Sequence, residues 1–395
     1  MIVDAGTRTG SLSSRGGAAA ELTALLRRLD WVLLLAAGCL VGYGLWAVAG
    51  ITKFDVPGDP DYFVTRQAIA AGIGAVGLVV AIVVPLTVYL RYWRVVYGVT
   101  IALMVLVLGA AEAIRGSRRW IDIGPFQFQP SEFGKVLFVL AIAGFLVERS
   151  RRIRRCPTVL VAVALGALPT FLVFLQPDLG TALVYAASLS AVLLVAGVRW
   201  LHLALLAVAG TLLIVGVLWF LPSVGIEVLK PYQAERIYGF ANPDSDPSGA
   251  TYNVTQSITA IGAGGLDGRG PEGASQTRLD YLPEHATDFV FASFAEQRGF
   301  FGAAVLLLLY LLVVWRGLRV VTVAGDLYSA VVAAGIVFGF LFQVFVNVGM
   351  TMGIAPVTGI PLAFVSVGGS SMVANLVAIG ILQSIHARGQ LFGGR

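Results

Sequence analysis

The chain has 395 residues, of which 57% are hydrophobic and only 12% charged, and its mean hydropathy is +0.85. A soluble globular domain is about one quarter charged, so this composition excludes that class and indicates a polytopic membrane protein. The net charge of +5 and the isoelectric point near 9.3 leave anionic lipid and nucleic acid open as partners until the arginines are placed.

Residues 1–26 are rich in Ser, Gly, Ala and Thr and read as a mobile cytoplasmic tail ahead of a single membrane domain over 27–395. A cleaved signal peptide is not expected, because the first apolar run, 29–51, is long enough to span. Further runs occupy roughly 66–86, 95–113, 133–148, 158–175, 181–198, 200–221, 289–315, 328–352 and 361–386. The prediction is an all-α fold of about ten transmembrane helices, each near the ~20 residues that a ~30 Å hydrocarbon core requires. One large polar segment, 222–288, separates helices seven and eight. Cys39 lies in an apolar run and Cys156 in a basic loop, which suggests neither a disulfide nor a metal site.

Orientation follows from the short loops. With a cytoplasmic N-terminus, the inner loops carry Arg27, Arg28, Arg91, Arg94, Arg149, Arg151, Arg152, Arg154, Arg155, Arg199, Arg316, Arg319, Arg388 and Arg395. The outer short loops hold mainly Lys53, Arg115, Arg118 and Arg119. The positive-inside rule then predicts both termini inside and residues 222–288 outside. The basic excess is topological: membrane lipid is an expected partner and nucleic acid is not.

Four polar groups interrupt the apolar pattern, all at or near the outer face. Within Gly116–Lys135, Arg118, Arg119 and Trp120 read as an interfacial anchor, and Gln129, Glu132 and Lys135 enter the next helix. Glu132 and Lys135 share a helix face, either as a neutralising pair or with Lys135 turned toward an anionic substrate. In Gln176-Pro-Asp-Leu-Gly180, Pro and Gly explain a turn and Asp178 is not needed for it. In the long segment, glycines up to Gly270 let backbone approach a ligand, and Arg236 and Arg269 are candidate bidentate phosphate donors. Residues 251–261 read as an amphipathic helix along the interface.

The fourth group is Asp280, Glu284, His285 and Asp288, immediately before the apolar run that opens at Phe289. Carboxylates beside a bilayer are costly to desolvate, so such a cluster marks a task. Thr287 and Asp288 are also good helix caps; a cap and a general base toward a sugar hydroxyl both fit the local pattern. Gln343, Asn347, Asn375, Gln383 and Gly368-Gly-Ser-Ser371 read as helix packing.

Together these segments resemble the SEDS family (shape, elongation, division and sporulation), nearest its RodA branch. The resemblance rests on Arg119-Trp-Ile-Asp-Ile-Gly124, Gln129-Pro-Ser-Glu132, Gln176-Pro-Asp-Leu-Gly180 and Leu229-Lys-Pro-Tyr-Gln233. It continues through Asp244-Ser-Asp-Pro247, Ile261-Gly-Ala-Gly-Gly265, Leu282-Pro-Glu284, Thr287-Asp-Phe289 and Asn347-Val-Gly-Met350. Pro356-Val-Thr-Gly-Ile-Pro-Leu362 is more similar to RodA than to the division paralogue FtsW.

The resemblance implies a bacterial glycosyltransferase of the cytoplasmic membrane, active at its outer face during elongation. Its substrate would be lipid II, the undecaprenyl-pyrophosphate-linked disaccharide peptide, polymerised into glycan strands beside a class B penicillin-binding protein. The family's essential acid falls on Asp288, an upstream carboxylate on Asp280 and a helix lysine on Lys135. Arg119, Glu132, Asp178, Arg236, Gln256 and Glu284 are expected to join Lys135 and Asp280 in binding substrate. No cofactor is assigned, and a divalent cation, Mg or Mn, is left open. His285 departs from the pattern, one position before the family's histidine, as do Ala363 and Val367, where Pro and Tyr are usual. A lipid II flippase and a division-type, FtsW-like polymerase are the alternatives.

Overall fold

The computed structural model describes residues 26–110, 119–123, 126–225, 236, 239, 240 and 251–392. The expected tail over 1–25, Arg118, and the segments 229–233 and 244–247 lie outside the described residues. The helices are α1 (Trp31–Ile51), α2 (Tyr62–Val83), α3 (Trp93–Ala110), α4 (Pro130–Glu148), α5 (Cys156–Leu175) and α6 (Leu179–Val195). They continue as α7 (Trp200–Val215, extended by a π-helical turn), α8 (Tyr252–Gly264), α9 (Val290–Val323), α10 (Leu327–Thr351) and α11 (Gly369–Phe392). Eight of the described helices are long and apolar enough to cross a membrane; α3 and α6 are apolar but shorter. The polytopic all-α expectation holds, with one small exception. Strands β1 (Ile121–Ile123) and β2 (Phe126–Phe128) form an antiparallel hairpin ahead of α4, with Ile121 opposite Phe128.

Local chemistry sets several boundaries. Asp30 caps α1, accepting from the Leu33 amide at 3.1 Å, and Asp326 caps α10 through the Ser329 amide at 3.0 Å. α2 stops before Pro85, whose ring disfavours helix in the residue ahead of it. Pro130 opens α4, where its missing N–H costs no hydrogen bond. Asp178 has a duty after all: it caps α6 through the Thr181 amide at 3.0 Å.

The last span differs from expectation. The run predicted from 361 is non-helical as far as Gly368, and α11 begins at Gly369. Side chains replace the missing helix bonds. Ser366 Oγ accepts from the Leu362 amide at 2.8 Å, Tyr310 donates to the Ala363 carbonyl, and Gln67 holds the Ser366 carbonyl and the Gly368 amide. Irregular backbone between membrane helices survives only when buried and satisfied in this way.

α11 packs on α2, α10 on α6, α9 on α1 and α3 on α4, around one continuous core. At one end of the bundle Asp30 accepts Arg316 at 2.6 Å while Gln383 exchanges two hydrogen bonds with the Asp30 backbone, joining α1, α9 and α11. At the other end α8 lies against α9 and α10. Of the glycines expected to meet a ligand here, Gly264 and Gly268 meet backbone instead, while Gly262, Gly265 and Gly270 face open space. A Cβ at Gly264 would overlap the Ala295 carbonyl, and Gly268 and Gly299, both at positive φ, would each overlap the other's segment. Gly299 breaks the helical path of α9 at that point. α7 has no buried residue along Trp200–Ser223 and stands beside α6, leaving a groove against α5 and α6.

Candidate functional site

Asp288 precedes α9, but Phe289 occupies the cap position and no side chain caps the helix. The capping role that the local pattern offered is therefore not used. The Asp288 backbone is held instead: Asn347 donates from Nδ2 to the Asp288 carbonyl at 2.9 Å and to the Ile360 carbonyl at 2.7 Å. Ser366 donates to the Thr287 carbonyl at 2.5 Å, and the Val367 amide to the Ala286 carbonyl at 2.9 Å. The loop before α11 thus holds the loop before α9. Asn347, expected only to pack, positions the candidate base.

The Asp288 carboxylate accepts no hydrogen bond among the described residues. Burial pushes its pKa above the ordinary carboxylate value; the Arg236 and Arg119 guanidiniums oppose that shift and Asp178 adds to it. A Cβ built on Gly359, at φ 72°, would stand 3.4 Å from Asp288 Oδ2 and 3.8 Å from Arg236 Nη1, so both groups converge on that glycine.

Arg119 is not an interfacial anchor. Its guanidinium turns inward, donating to the Gln176 carbonyl at 3.3 Å and to the Pro177 carbonyl, and Nη1 lies 4.0 Å from Asp178 Oδ1. Asp178 also faces Gln129 Nε2 at 3.4 Å. These three groups tie the start of α4 to the α5–α6 turn and hold one arginine beside Asp288.

Arg119, Arg236, Pro177 and Thr358 close one end of the groove under α7. The groove has a volume of about 690 Å³ and is otherwise lined by apolar side chains such as Phe171, Phe174, Leu183 and Leu213. One end is cationic and the remainder oily: the pattern suits an amphiphile with an anionic head.

Lys135 lies elsewhere. Its ammonium contacts both Glu132 oxygens at 2.9 Å and Gln343 Oε1 at 3.0 Å, and Gln343 in turn donates to the Pro361 carbonyl at 2.8 Å. Glu132 is wholly buried. An ammonium has three donors, and all three are committed. Asp280 is exposed and ends 3.3 Å from His285 Nδ1, while Glu284 accepts from Thr287 Oγ1 at 3.0 Å. Gln256 is half-buried on α8, and among the described residues no hydrogen bond ties it to Asp288. Arg269 donates to the Ala263 carbonyl at 2.7 Å and closes its own loop.

Asp55 carries no role in the sequence reading, yet its carboxylate meets His285 Nε2 at 3.2 Å. The available signal is the density of acids, Asp55, Asp59 and Asp61, in one short loop. Among the described residues no group of three His, Cys, Asp or Glu could hold a metal ion. Asp178, the carboxylate that shares Arg119 with Asp288, is already spent on the Thr181 amide and Gln129. Among the described residues the donor set does not fit a protein-built cation cage.

The family model described as "Cell cycle protein", covering FtsW, RodA and SpoVE, matches residues 25–390. The chain belongs to that family. Among FtsW/RodA/SpoVE relatives, stage V sporulation protein E of Bacillus subtilis is 37% identical over 364 residues, 91% of this chain and 96% of that protein. Peptidoglycan glycosyltransferase MrdB of Escherichia coli is 39% identical over 319 residues, 79% of this chain and 83% of that one. A chain of a solved peptidoglycan synthase complex that coordinates polymerization and crosslinking superposes with a TM-score of 0.77 at 30% identity, covering 91% of this chain and 98% of that chain. Thermus thermophilus RodA gives 0.66 at 28% identity, covering 91% of this chain and 96% of that one.

Proposed function

We propose that this FtsW/RodA/SpoVE family member is a peptidoglycan glycosyltransferase in which Asp288 is the general base for polymerising lipid II. The observation that carries the assignment of Asp288 is its partly desolvated carboxylate, which accepts no hydrogen bond among the described residues and feels the charge of two arginines at the cationic end of an oily groove. The groove under α7 takes part of the donor's lipid chain, and Arg119 and Arg236 face its pyrophosphate.

The 4-hydroxyl of the acceptor's terminal GlcNAc attacks C1 of the donor's MurNAc. Asp288 takes the hydroxyl proton, the new C1–O bond forms, and the old bond breaks with undecaprenyl pyrophosphate as the leaving group. Inversion at C1 follows from a single displacement. Arg119 and Arg236 stabilise the charge that develops on the leaving group. Asn347, by fixing the Asp288 backbone, keeps the base within reach of the hydroxyl. Lys135 has no donor to spare for this step.

The arginine distribution supports a cytoplasmic N-terminus, which puts Asp288 on the outer face, where a transpeptidase domain can receive the nascent strand. The relation to the synthase-complex chain supports a class B penicillin-binding protein as that partner. The Pro356–Leu362 segment favours elongation over division.

The test is glycan-strand formation from purified lipid II by the protein with its partner, comparing wild type with Asp288→Asn. Polymer from wild type and none from the folded variant is expected. Full activity in Asp288→Asn would remove Asp288 from the centre, and no polymer from either, with lipid II crossing vesicles, would favour the flippase.

A further inference from the structure

His285 is buried at the outer end of the bundle between two carboxylates from different segments. Nε2 lies 3.2 Å from both oxygens of Asp55, in the α1–α2 loop, and Nδ1 lies 3.3 Å from Asp280 Oδ1. Both ring nitrogens face acceptors, an arrangement that only the imidazolium satisfies fully. Asp59 and Asp61 share the α1–α2 loop with Asp55, and among the described residues neither side chain forms a hydrogen bond or ion pair; the other charges nearby are engaged elsewhere. Lys53 pairs with Glu272 at 3.1 Å, Arg278 donates to the Glu272 carbonyl and lies over Phe54, and Glu284 accepts from Thr287. The backbone on either side is held in an uncommon form: Asp280 at φ 57° and Glu284 at φ 54° are left-handed without being glycine. Such geometry persists only where surrounding contacts impose it. The segment so held ends at Asp288, three residues beyond His285.

We propose that His285 is a positioning residue: clasped by Asp55 and Asp280, it staples the α1–α2 loop to the loop that carries Asp288. The proposal rests on the reading of Asp288 as the base. The staple adds to Asn347 and Ser366, which hold the same loop through its backbone carbonyls. Charge then enters the positioning. Burial opposes the imidazolium, but the hydrogen bond and charge of Asp55, the charge of Asp280 and a backbone bond at Leu282 outweigh it and leave the His285 pKa above its ordinary value. A histidine raised on folding contributes fully below its unfolded pKa, and its contribution fades as pH rises through the folded one. The staple therefore tightens on acidification and loosens on alkalinisation.

The experiment uses the full chain with its transpeptidase partner and lipid II, across pH 6 to 9. It compares wild type, His285→Gln, Asp55→Asn and the double variant. Each single change should lower kcat about fivefold at pH 6 with little change in KM, and the double variant should be no worse than either single, the mark of two groups acting through one contact. The wild-type advantage over His285→Gln should shrink toward pH 9. Asp288→Asn, run alongside, separates two failures. If it is inactive while His285→Gln and Asp55→Asn match wild type at every pH, the staple is refuted and the base stands. If it is active, the site reading falls. Hydrogen exchange over 279–289 guards against misfolding: local loosening of this loop is expected, and unchanged protection in His285→Gln would also overturn the proposal.

Discussion

Removing one member of the Glu132–Lys135 pair should be far worse than removing both. Glu132 is wholly buried, Lys135 is nearly so, and three contacts of 2.9–3.0 Å hold the ammonium. Glu132→Gln leaves that ammonium without its counter-charge inside the bundle, at a cost of about 3 kcal/mol or more. At ~2 °C per kcal/mol for a large chain, the melting temperature should fall by about 6 °C. Lys135→Met alone strands the carboxylate and should cost a similar amount. The double variant Glu132→Gln, Lys135→Met keeps the volume and removes both charges, so it should return to within about 1 kcal/mol of wild type. Thermal unfolding in detergent reads the stability, and lipid II polymerisation reads the function. A strut predicts that the double variant polymerises nearly as wild type, whereas a substrate-binding lysine, as the family resemblance implies, predicts a stable but inactive double variant. Additive stability losses across the four proteins would refute the buried-pair reasoning altogether.

Asp288→Asn should raise the melting temperature by about 2 °C at neutral pH while abolishing activity. The folded pKa of Asp288 lies above its ordinary value, so wild type loses stability as pH rises through it; the gain in Asn should vanish in acid, where Asp288 is protonated. Gly264→Ala drives a methyl into the Ala295 carbonyl and should destabilise the protein by about 2 kcal/mol, with faster proteolysis of α8 as the readout. Ala186→Phe narrows the groove under α7 and should raise KM about tenfold for lipid II with a full chain, with little effect on a short-chain analogue, in steady-state polymerisation assays.

The apolar runs, the proline and aspartate boundaries and the acids before Phe289 are local properties, and the sequence carries them openly. A helix that must satisfy its backbone inside lipid has no alternative to being ~20 apolar residues long. Asp288 was also visible, because a carboxylate at that depth is expensive. Its neighbours were not. Whether Arg119 snorkels to the interface or turns under the Gln176 carbonyl depends on where α5 ends in space, and nothing within a few residues of Arg119 encodes that. The same holds for Lys135, whose third partner, Gln343, lies 208 residues away, and for Asp55, 230 residues from His285. The stretch 361–368 looks like the start of a helix by composition, yet it folds as irregular backbone because Gln67, Tyr310 and Asn347, all from other helices, satisfy its polar groups or those of the residue before it. Sequence determined which segments enter the membrane and which acid stands at its edge. Tertiary packing decided which cations face that acid, since side-chain direction and long-range hydrogen bonds exist only once the helices are assembled.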